Sequence, residues 1–495
     1  MMRMNKKQLS RFAGVHFPDL TPALIDEAYD RAEVRIRRLL SEALLNEAVD
    51  LDAVSLEARS RLTEELEDCI NNLTLSYLQY ERDCLRYKGQ YQSIFDYYHT
   101  EEQDASLFEQ CCYEGHPFHP MSKTKLGFTA GQVLQFAPEF KQQTAVMTVY
   151  IHQDLMKSEG LLNLAAAEAP PGYGVVYVHD WQWGHVITSN YQTLIDEGLI
   201  RLGAPVQAAP LLSFRSLLTP EAVIKTAVSV QATSAVRNVS RSSIENGIRL
   251  GRYVDDYYRR HQYKGCYIQK DVYGSWFHQE DSDPQFACLI RERIAEDSAV
   301  PVVAASLINR SFVTGELIMT DCIGARSAHD FMRRYTQLLM TATYRLMIET
   351  GISLEAHMQN TVIAVEKGLP VAVYIRDFGG IRVLNDDVPI NDATNIRAAN
   401  EADLFNVMSH AVIYNHLLQI YRAAADAGLI DYNNCLLILE DVVTDIHQQA
   451  EPSEALDLFR QPTLKVKALL KMRLMADARD YNYIEVKNPL YKEVL

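Results

Sequence analysis

The sequence predicts an α+β fold that is organised in three regions along its 495 residues. Residues 1–160 are dominated by helical apolar periodicity, whereas residues 161–330 are richer in short β-branched runs. Residues 331–495 open with a strong helix, continue with a hairpin and then return to helical patterns. Helices and strands that are segregated in this way are typical of an α+β protein rather than of alternating βαβ units.

The first region begins with well-marked helices. Thr21 supplies a hydroxyl cap, and Pro22 occupies the first helical position, where its missing N–H is not needed. The apolar stripe that follows has helical spacing and consists of Ile36, Leu39, Leu40, Ala43 and Leu44. A second helix is predicted over 56–78.

The second region is predicted to hold most of the strands. Its β-branched or alternating runs lie at 174–178, 227–230, 267–268 and 302–303. One helix interrupts these strands and is predicted to begin at Ser242, because Ser242 and Glu245 have capping-box spacing.

The third region opens with a helix predicted over 329–350, and Gly351 is its expected C-terminal cap. Strands predicted at 361–365 and 371–375 form a hairpin around a Glu-Lys-Gly turn. From Glu401 onward the pattern predicts helix nearly to the end of the chain.

The composition excludes two general classes of partner. The chain has 48 Lys+Arg against 64 Asp+Glu, which gives a formal net charge of −16. Non-specific binding to nucleic acids or anionic membranes needs a basic surface, so we expect neither partner. The sequence has no run of 18 apolar residues, no signal-peptide pattern and no CxxC pair among its eight cysteines. We therefore expect a reduced, cytoplasmic protein.

A rigid loop is the first candidate for a binding site. His116 and His119 are each followed by proline, and Lys123 comes shortly after them. Proline forbids a regular helix here and fixes the loop, so its imidazoles and ammonium are available to hold a nucleotide or an anion. A structural turn with internally satisfied histidines is an equally good interpretation.

A basic cluster is the second candidate. Ser213 and Arg215 precede a Thr-Pro turn, and Lys225, Thr233 and Arg237 follow it. A hairpin would bring Arg215 and Lys225 to one mouth, where arginine clamps carboxylate or phosphate and lysine supplies a compact charge. The alternative is a solvated surface of charge.

The third candidate combines Glu355, His357, Gln359 and Asn360 with Asp377, one hairpin later. An Asn and an Asp at the two ends of a hairpin can share one Mg²⁺, which prefers oxygen ligands and nucleotide phosphates. His357 can hydrogen-bond an oxygen on which charge develops. The alternative is a polar hairpin base with a buried histidine, although these polar groups are costly to bury without partners.

In order and spacing these motifs resemble the IucA/IucC family, the NRPS-independent siderophore (NIS) synthetases. The resemblance extends over residues 115–380. It is carried by His116-Pro-Phe-His119-Pro-x-x-Lys123, His179-Asp-Trp-Gln182, Ser213-x-Arg215, Lys225, Thr233-Ser-Ala-x-Arg237, Glu355-Ala-His357-x-Gln359-Asn360 and Arg376-Asp377-x-Gly379-Gly380.

The resemblance implies a ligase of siderophore biosynthesis. Such an enzyme adenylates a carboxylate of citrate or a related polycarboxylic acid with ATP and condenses it with an amine or alcohol, releasing AMP and pyrophosphate. It also implies a cupped-hand architecture with a helical thumb (1–160), antiparallel-sheet fingers (161–330) and a kinase-like palm with a helical C-terminus (331–495). The chain is shorter than many members of the family. The resemblance therefore implies the ATP chemistry more directly than it implies a homodimer or the shape of the acceptor pocket.

The resemblance also assigns roles to residues of this chain. The catalytic group is His357, Arg237 and Lys225. ATP-binding positions are Ser213, Arg215, Lys225, His116, Lys123, His357, Gln359, Asn360 and Asp377, with His119 in the same loop as His116. The carboxylate substrate would contact Thr233, Arg237 and His357. Mg²⁺ would be held by Asp377 with Asn360 or Glu355.

Two other functions stay open. Asn360 and the Asp377-Phe-Gly sequence are also compatible with a kinase-like phosphotransferase that acts on small molecules. A catalytically degenerate protein that binds a nucleotide or citrate is the non-enzymatic alternative. The acid and the acceptor are not specified by the sequence.

Overall fold

The computed structural model combines long helices with largely antiparallel sheets, so the fold is α+β as the sequence predicts. The structure describes residues 4–162, 164, 168–232, 235–296, 298–391, 396–475 and 482–492.

The helices and strands of these residues are numbered along the chain. The α-helices are α1 Lys6–His16, α2 Pro22–Asn46, α3 Leu56–Tyr87, α4 Ile94–Thr100, α5 Ser106–Gln110, α6 Ala130–Phe136, α7 Asp180–Gln182, α8 Thr188–Asn190, α9 Gln192–Asp196, α10 Arg241–Arg260, α11 Ile318–Ile323, α12 Ala328–Met340, α13 Leu346–Thr350, α14 Glu401–Met408, α15 Leu418–Asp426, α16 Tyr432–Ala450 and α17 Leu469–Leu474. The strands are β1 Lys125–Leu126, β2 Thr144–His152, β3 Met156–Gly160, β4 Tyr173–His179, β5 Ile200–Pro210, β6 Ser216–Leu218, β7 Val223–Thr226, β8 Val228–Ala232, β9 Ala235–Arg237, β10 Cys266–Ile268, β11 Asp271–His278, β12 Ser282–Arg291, β13 Val300–Val303, β14 Ile352–Ser353, β15 Thr361–Glu366, β16 Leu369–Ile375, β17 Arg382–Val383, β18 Thr463–Lys467 and β19 Tyr483–Lys487. Wider π-helical turns cover Trp183–Ile187, Thr341–Arg345 and Ser409–Leu417.

The larger sheet has eight antiparallel strands in the order β3–β11–β12–β7–β6–β5–β2–β4. Val149, Tyr177 and Phe286 are among the apolar side chains buried in its core. Strands β2 and β3 come from the first 160 residues, so the sheet extends across the expected boundary there. The three-domain division stays a prediction.

The smaller sheet has the order β10–β16–β15–β13, with β10 and β16 parallel and the other pairs antiparallel. Its β15–β16 hairpin turns at Lys367 and Gly368, as predicted. Because Thr361 pairs with Ile375, the residues just before β15 and just after β16 are brought together. Only Gln269 and Lys270 separate β10 of this sheet from β11 of the larger one.

The N-terminal helices confirm one sequence prediction and correct another. The Thr21 side chain accepts a hydrogen bond from Leu24 N at 3.3 Å, with Pro22 at the first helical position. Helix α3 continues to Tyr87 instead of ending at residue 78. Its last turns bury polar side chains that have partners, such as Asp83 with Lys141 at 2.7 Å, so the apolar periodicity fades before the helix ends.

The start of α10 differs from the capping-box prediction. Ser240 caps the helix by accepting a bond from Ser243 N, and Glu245 bonds Arg241 at 2.8 Å. Ser240 is favoured over Ser242 because it has the extended backbone that an N-cap needs.

The C-terminal prediction of nearly continuous helix is wrong beyond α16. Strands β18 and β19 form an antiparallel hairpin after that helix. In β18, Leu464 and Val466 are buried while Lys465 between them is exposed. This is the two-residue period of a strand rather than the 3.6-residue period of a helix.

None of the helices in the described residues combines the length and apolar character that a membrane crossing requires. The eight cysteines are free thiols, and all except Cys84 are buried.

Candidate active site

The predicted site segments converge between the two sheets. Lys225 of β7 and Asp377, which follows β16, form an ion pair with 2.6 Å between Nζ and Oδ2. This contact joins the basic cluster to the end of the β15–β16 hairpin. The two segments are 152 residues apart in the sequence.

Asp377 is held as a carboxylate. Burial acts to raise its pKa, but the charges of Lys225, Arg291 and Arg215 outweigh burial and hold the pKa well below its usual range. Its backbone has a φ of 68°, in the left-handed region that few residues other than glycine adopt. Strained backbone of this kind is frequent at functional sites.

The β-sheet register lines up the cations that face Asp377. Ser216 pairs with Lys225 and Val223 with Arg291, so Lys225 and Arg291 lie on one face of the larger sheet. Arg291 is anchored by Asp271 through bonds of 2.8 and 3.2 Å. Burial lowers the pKa of Lys225 to about 8 despite its partner Asp377.

Two further arginines approach the same carboxylate. One Arg215 amino group donates to the carbonyl of Asn238 at 2.6 Å, and Arg237 donates to the carbonyl of Ala232 at 2.9 Å. Burial lowers the pKa of Arg215 to about 10 and also lowers that of Arg237, while the charge of Asp377 opposes both shifts. The buried Nε of Arg215 has no partner among the described residues. Together with Lys225 and Arg291, these guanidinium groups form a cationic wall around Asp377.

A second carboxylate faces this wall from the loop before β15. Glu355 pairs with Lys467 of β18 at 2.8 Å. Burial acts to raise the pKa of Glu355, but Lys467 and then His357 lower it below its usual range. The Glu355 carboxylate rests against Gly380, where a Cβ atom would lie only 1.6 Å from Oε2. A side chain at Gly380 would therefore displace the Glu355 carboxylate from this position.

His357 is a neutral imidazole near neutral pH. Burial lowers its pKa, although the charges of Glu355 and Asp377 act to raise it. Burial also lowers the pKa of His116 to about 3 and that of His119 to about 4. After burial, the interactions with His119 and His357 lower the pKa of His116 further, and the charge of Arg237 lowers that of His119, so the rigid loop lies near both parts of the site.

The loop that carries Glu355 and His357 is supported from behind. His416, in the π-helical turn, donates from Nδ1 to the carbonyl of Ala356 at 2.7 Å, and its Nε2 accepts from the Tyr335 hydroxyl. These partners fix the tautomer of His416. π-Helical turns recur at functional sites, and this one directs the buried His416 side chain onto the loop that carries Glu355 and His357.

Lys123 and Asn360 are two further residues that the sequence predicts for the site. Lys123 does not point into the cluster, because its Nζ bonds the Cys112 carbonyl at 2.9 Å and Glu139 at 3.1 Å within the core. Asn360 donates to the carbonyl of Glu355 at 3.1 Å. The prediction that Lys123 contacts the nucleotide thus conflicts with its buried ion pair.

The remaining residues predicted for the site are Gln359, Ser213 and Thr233. The carbonyl of Gln359 accepts two bonds from Arg376, at 2.8 and 3.2 Å. Ser213 is half-buried at the turn before Arg215. Thr233 lies outside the described residues.

Sequence reasoning missed Arg291, His416 and Lys467. The period-two pattern of β18 could have revealed a strand at Lys467, but not its partner Glu355 112 residues away. No local signal marks Arg291 or His416 as a neighbour of the site.

Two family profiles match parts of the chain. The profile of the IucA / IucC family matches residues 104–309, which include the rigid loop and the cationic wall. Over these residues the chain is similar to the IucA/IucC family. A second profile, described as ferric iron reductase FhuF-like transporter, matches residues 329–482.

Curated relatives of this family are similar over most of the chain. Staphyloferrin A synthase of Staphylococcus aureus is 29% identical over 440 residues, covering 79% of this chain and 74% of the relative. D-ornithine–citrate ligase of the same organism is 26% identical over 530 residues, covering 91% and 79%.

A solved structure has the same fold. ATP-bound aerobactin synthetase IucA from Klebsiella pneumoniae superposes with a TM-score of 0.77 at 17% identity, covering 94% of this chain and 87% of that one.

Proposed function

We propose that the chain is an ATP-dependent ligase of siderophore biosynthesis that adenylates a carboxylate of citrate or a related polycarboxylic acid. An amine or alcohol then captures the adenylate. The observation that carries this proposal is the convergence of Arg215, Lys225, Arg237 and Arg291 on one cleft of a chain whose net charge is −16. Such a local concentration of cations fits a triphosphate together with a polycarboxylate.

The reaction is proposed to occur in two steps. A carboxylate oxygen attacks the α-phosphorus of ATP, and the bond to the pyrophosphate oxygen breaks. The acceptor nitrogen or oxygen then bonds to the acyl carbon, gives up a proton, and AMP leaves. The cations of the wall stabilise charge on the phosphates, and binding both reactants in one cleft aligns them.

Individual side chains of the site have separate proposed roles in this reaction. Arg215 and Lys225 are assigned to the phosphates, while Arg237 clamps a substrate carboxylate bidentately. His357, being neutral, is able to donate a hydrogen bond to a reacting oxygen or to accept the proton of the acceptor. Thr233 retains its assignment to the carboxylate as a proposal from the sequence.

Mg²⁺ is the metal that this chemistry implies. Among the described residues, no group of three or more His, Cys, Asp or Glu side chains is arranged to hold a metal. The site fits Mg²⁺ nonetheless, because Mg²⁺ is usually bound through one or two carboxylates together with phosphates and water. Asp377 and Glu355 are ionised carboxylates whose charges interact, and Asn360 is bonded beside Glu355. When bound, the ion would supply charge neutralisation at the triphosphate.

The wider features of the proposal rest on similarity to this family. The names of the relatives mention citrate together with ornithine or spermidine, which supports a citrate-like acid and an amine acceptor for this chain. The cupped-hand arrangement, with its thumb, fingers and palm, and a cytoplasmic homodimer belong to the same proposal. Light scattering on the purified chain tests the dimer.

A trapping experiment tests the reaction. The purified chain is incubated with ATP, Mg²⁺, citrate and hydroxylamine, and we expect AMP, pyrophosphate and citryl hydroxamate in equal amounts. Arg237→Ala should abolish the hydroxamate, whereas Arg252→Ala, at an exposed position on α10, should leave it unchanged.

Other products would identify the alternatives. ADP in place of AMP would favour a kinase-like phosphotransferase. Tight ATP binding without turnover across a panel of acids and amines would favour a degenerate binding protein.

A further inference from the structure

The π-helical turn Ser409–Leu417 carries a second buried histidine in addition to His416. His410 is only 7% exposed, and its ring lies against the last residue of β18. The Nδ1 atom of His410 accepts a hydrogen bond from the backbone N–H of Lys467 at 3.0 Å. Lys467 is the residue whose side chain pairs with Glu355, so His410 acts on the main chain of a residue that supports the candidate site.

This contact fixes the state of the His410 ring. A backbone N–H only donates, so Nδ1 is an unprotonated acceptor. Burial holds the pKa of His410 well below its usual range. Interactions with Lys467, His116 and His357 lower it further, so the ring is neutral near neutral pH. The amide nitrogen of Asn415 is 3.1 Å from Nδ1 and 3.0 Å from Nε2, so this group lies against the ring and restricts its rotation.

The contact lies at the edge of β18 that faces away from β19. On the β19 side, the amide of Ala468 donates to the carbonyl of Asn482 at 2.8 Å. Successive amides of a strand point to opposite edges, so the Lys467 amide faces away from β19. In the described part of the chain this sheet has two strands, and the His410 imidazole supplies the acceptor that a third strand would supply.

Two imidazoles of one turn therefore hold the two partners of the buried ion pair. His416 donates to the carbonyl of Ala356, next to Glu355, at 2.7 Å. His410 accepts from the amide of Lys467, whose Nζ lies 2.8 Å from Oε1 of Glu355. Lysine reaches its partner through a flexible stem of four carbons, so a fixed main chain reduces the entropy that the pair loses on forming.

We propose that His410 is a positioning residue for the activation of the acid. By accepting the Lys467 amide, it holds the lysine ammonium on Glu355, and this ion pair keeps the loop that carries Glu355 and His357 in place. The inference rests on the proposed function, because it takes that loop as part of the adenylation site. His410 is assigned no contact with the substrates, so its effect on the reaction passes through Lys467.

Variants that differ in the acceptor test the role of Nδ1. His410→Leu leaves the buried amide without its acceptor, and we expect kcat for AMP formation to fall about tenfold with less than about a threefold change in KM for ATP. His410→Asn places its oxygen where Nδ1 stood and should retain kcat within about threefold, whereas the longer His410→Gln should not. His329→Leu, at an exposed position on α12, is the matched control and should equal the wild type.

Two results would overturn the inference: full activity in His410→Leu, or a kcat of His410→Asn no better than that of His410→Gln. Circular dichroism establishes which variants are folded. If His410→Leu does not fold, His410→Asn against His410→Gln makes the same comparison.

A double-mutant cycle separates positioning from general support of the fold. If His410 acts through the Lys467 side chain, adding His410→Leu to Lys467→Met should cause no further loss of AMP formation. Two independent structural losses would instead multiply. A further loss of about tenfold in the double variant would therefore contradict the positioning role.

Hydrogen exchange separates this inference from the proposed function, because it needs no activity. The Lys467 amide should exchange at least about tenfold faster in His410→Leu than in the wild type and stay protected in His410→Asn. Unchanged exchange in His410→Leu would refute the inference. Faster exchange with unchanged hydroxamate formation in the trapping experiment would refute the positioning role and leave the ligase intact. Protection that depends on His410, in a wild-type chain that forms no hydroxamate, would refute the ligase and retain His410 as the residue that positions Lys467.

Discussion

The two halves of the candidate site are built in different ways. On the larger sheet, Lys225 and Arg291 reach the cleft through strand register, so each is positioned by its immediate neighbours. The opposing loop with Glu355 and His357 depends on side chains from distant segments, including His416 and Lys467. One wall is thus set by backbone pairing between strands, although β7 and β12 are far apart in the sequence, whereas the other is set by side-chain contacts that span 60 to 112 residues.

This difference has a physical consequence. A strand ladder distributes its support over many backbone hydrogen bonds, so a single substitution leaves the wall in place. The loop is supported by a few buried polar contacts, each of which is costly to break. We therefore expect substitutions behind the loop to impair stability and activity together, and substitutions within the wall to act mainly on activity.

The largest effect is expected for Asp377→Asn, because Asp377 joins the two halves. Without its charge, Lys225 remains buried opposite a neutral amide and the carboxylate proposed for Mg²⁺ is lost. We expect kcat/KM for AMP formation to fall about 10³-fold. Asp445→Asn, at an exposed position on α16, is the matched control and should retain full activity. A loss smaller than tenfold would show that Asp377 does not link the halves.

The next effect is expected for Lys467→Met, which leaves Glu355 buried without its partner. Breaking a buried pair of this kind costs about 3 kcal/mol of unfolding free energy, and we expect activity to fall about 10²-fold. Urea unfolding and AMP release measure the two effects. Lys465→Met, on the same strand but exposed, should be neutral.

A double variant separates support from chemistry. Lys467→Met combined with Glu355→Gln removes both charges, so the unfolding free energy should return toward the wild-type value while activity stays low. Recovery of activity in this double variant would show that Glu355 only balances Lys467.

The pH dependence probes the cationic wall. Lys225 has a pKa of about 8 in the free chain, so its charge is present below that pH and is lost above it. We expect kcat/KM for ATP to fall by about tenfold per pH unit above pH 8, since this parameter reports the free enzyme. In Lys225→Arg the fall should move to higher pH. A wild-type profile that is flat to pH 9.5 would be inconsistent with this role.

The smallest effect is expected for Tyr335→Phe, which removes the hydroxyl bonded to His416. One buried hydrogen-bonding group is then left unsatisfied, at a cost of about 1–2 kcal/mol. Because Tyr335 is a positioning residue, its substitution should lower kcat severalfold with little change in KM for ATP. The comparison is Tyr267→Phe, at a partly exposed position, which should match the wild type in both respects. An unchanged kcat in Tyr335→Phe would mean that the π-helical turn supports the fold alone.

The sequence predicts those parts of the site whose geometry is local. The hairpin signal at residues 366–368 correctly places Asn360 near Asp377, because pairing within one hairpin follows from its turn. Likewise, the short connection between Arg215 and Lys225 brings Arg215, in the turn just before β6, next to Lys225 of β7.

The remainder is decided by packing between segments far apart in the chain. Lys467 and His416 gave no local sign of their role, since their partners are set by the folded structure. Lys123 shows the converse case: its motif predicts a nucleotide-binding residue, whereas in the structure its ammonium group pairs with the buried Glu139. A motif specifies residue types, and a neighbour outside the motif decides which way a long side chain turns.

The short connection at Gln269 and Lys270 gives the cleft a mechanical property. The two sheets form opposite walls of a narrow cavity beside the cationic wall, and only two residues connect them here. A ligand that binds between these walls therefore contacts both sheets close to the segment that joins them. Hydrogen exchange of the backbone amides at the ends of β10 and β11 should slow when nucleotide is bound, which would make this connection a reporter of cleft closure.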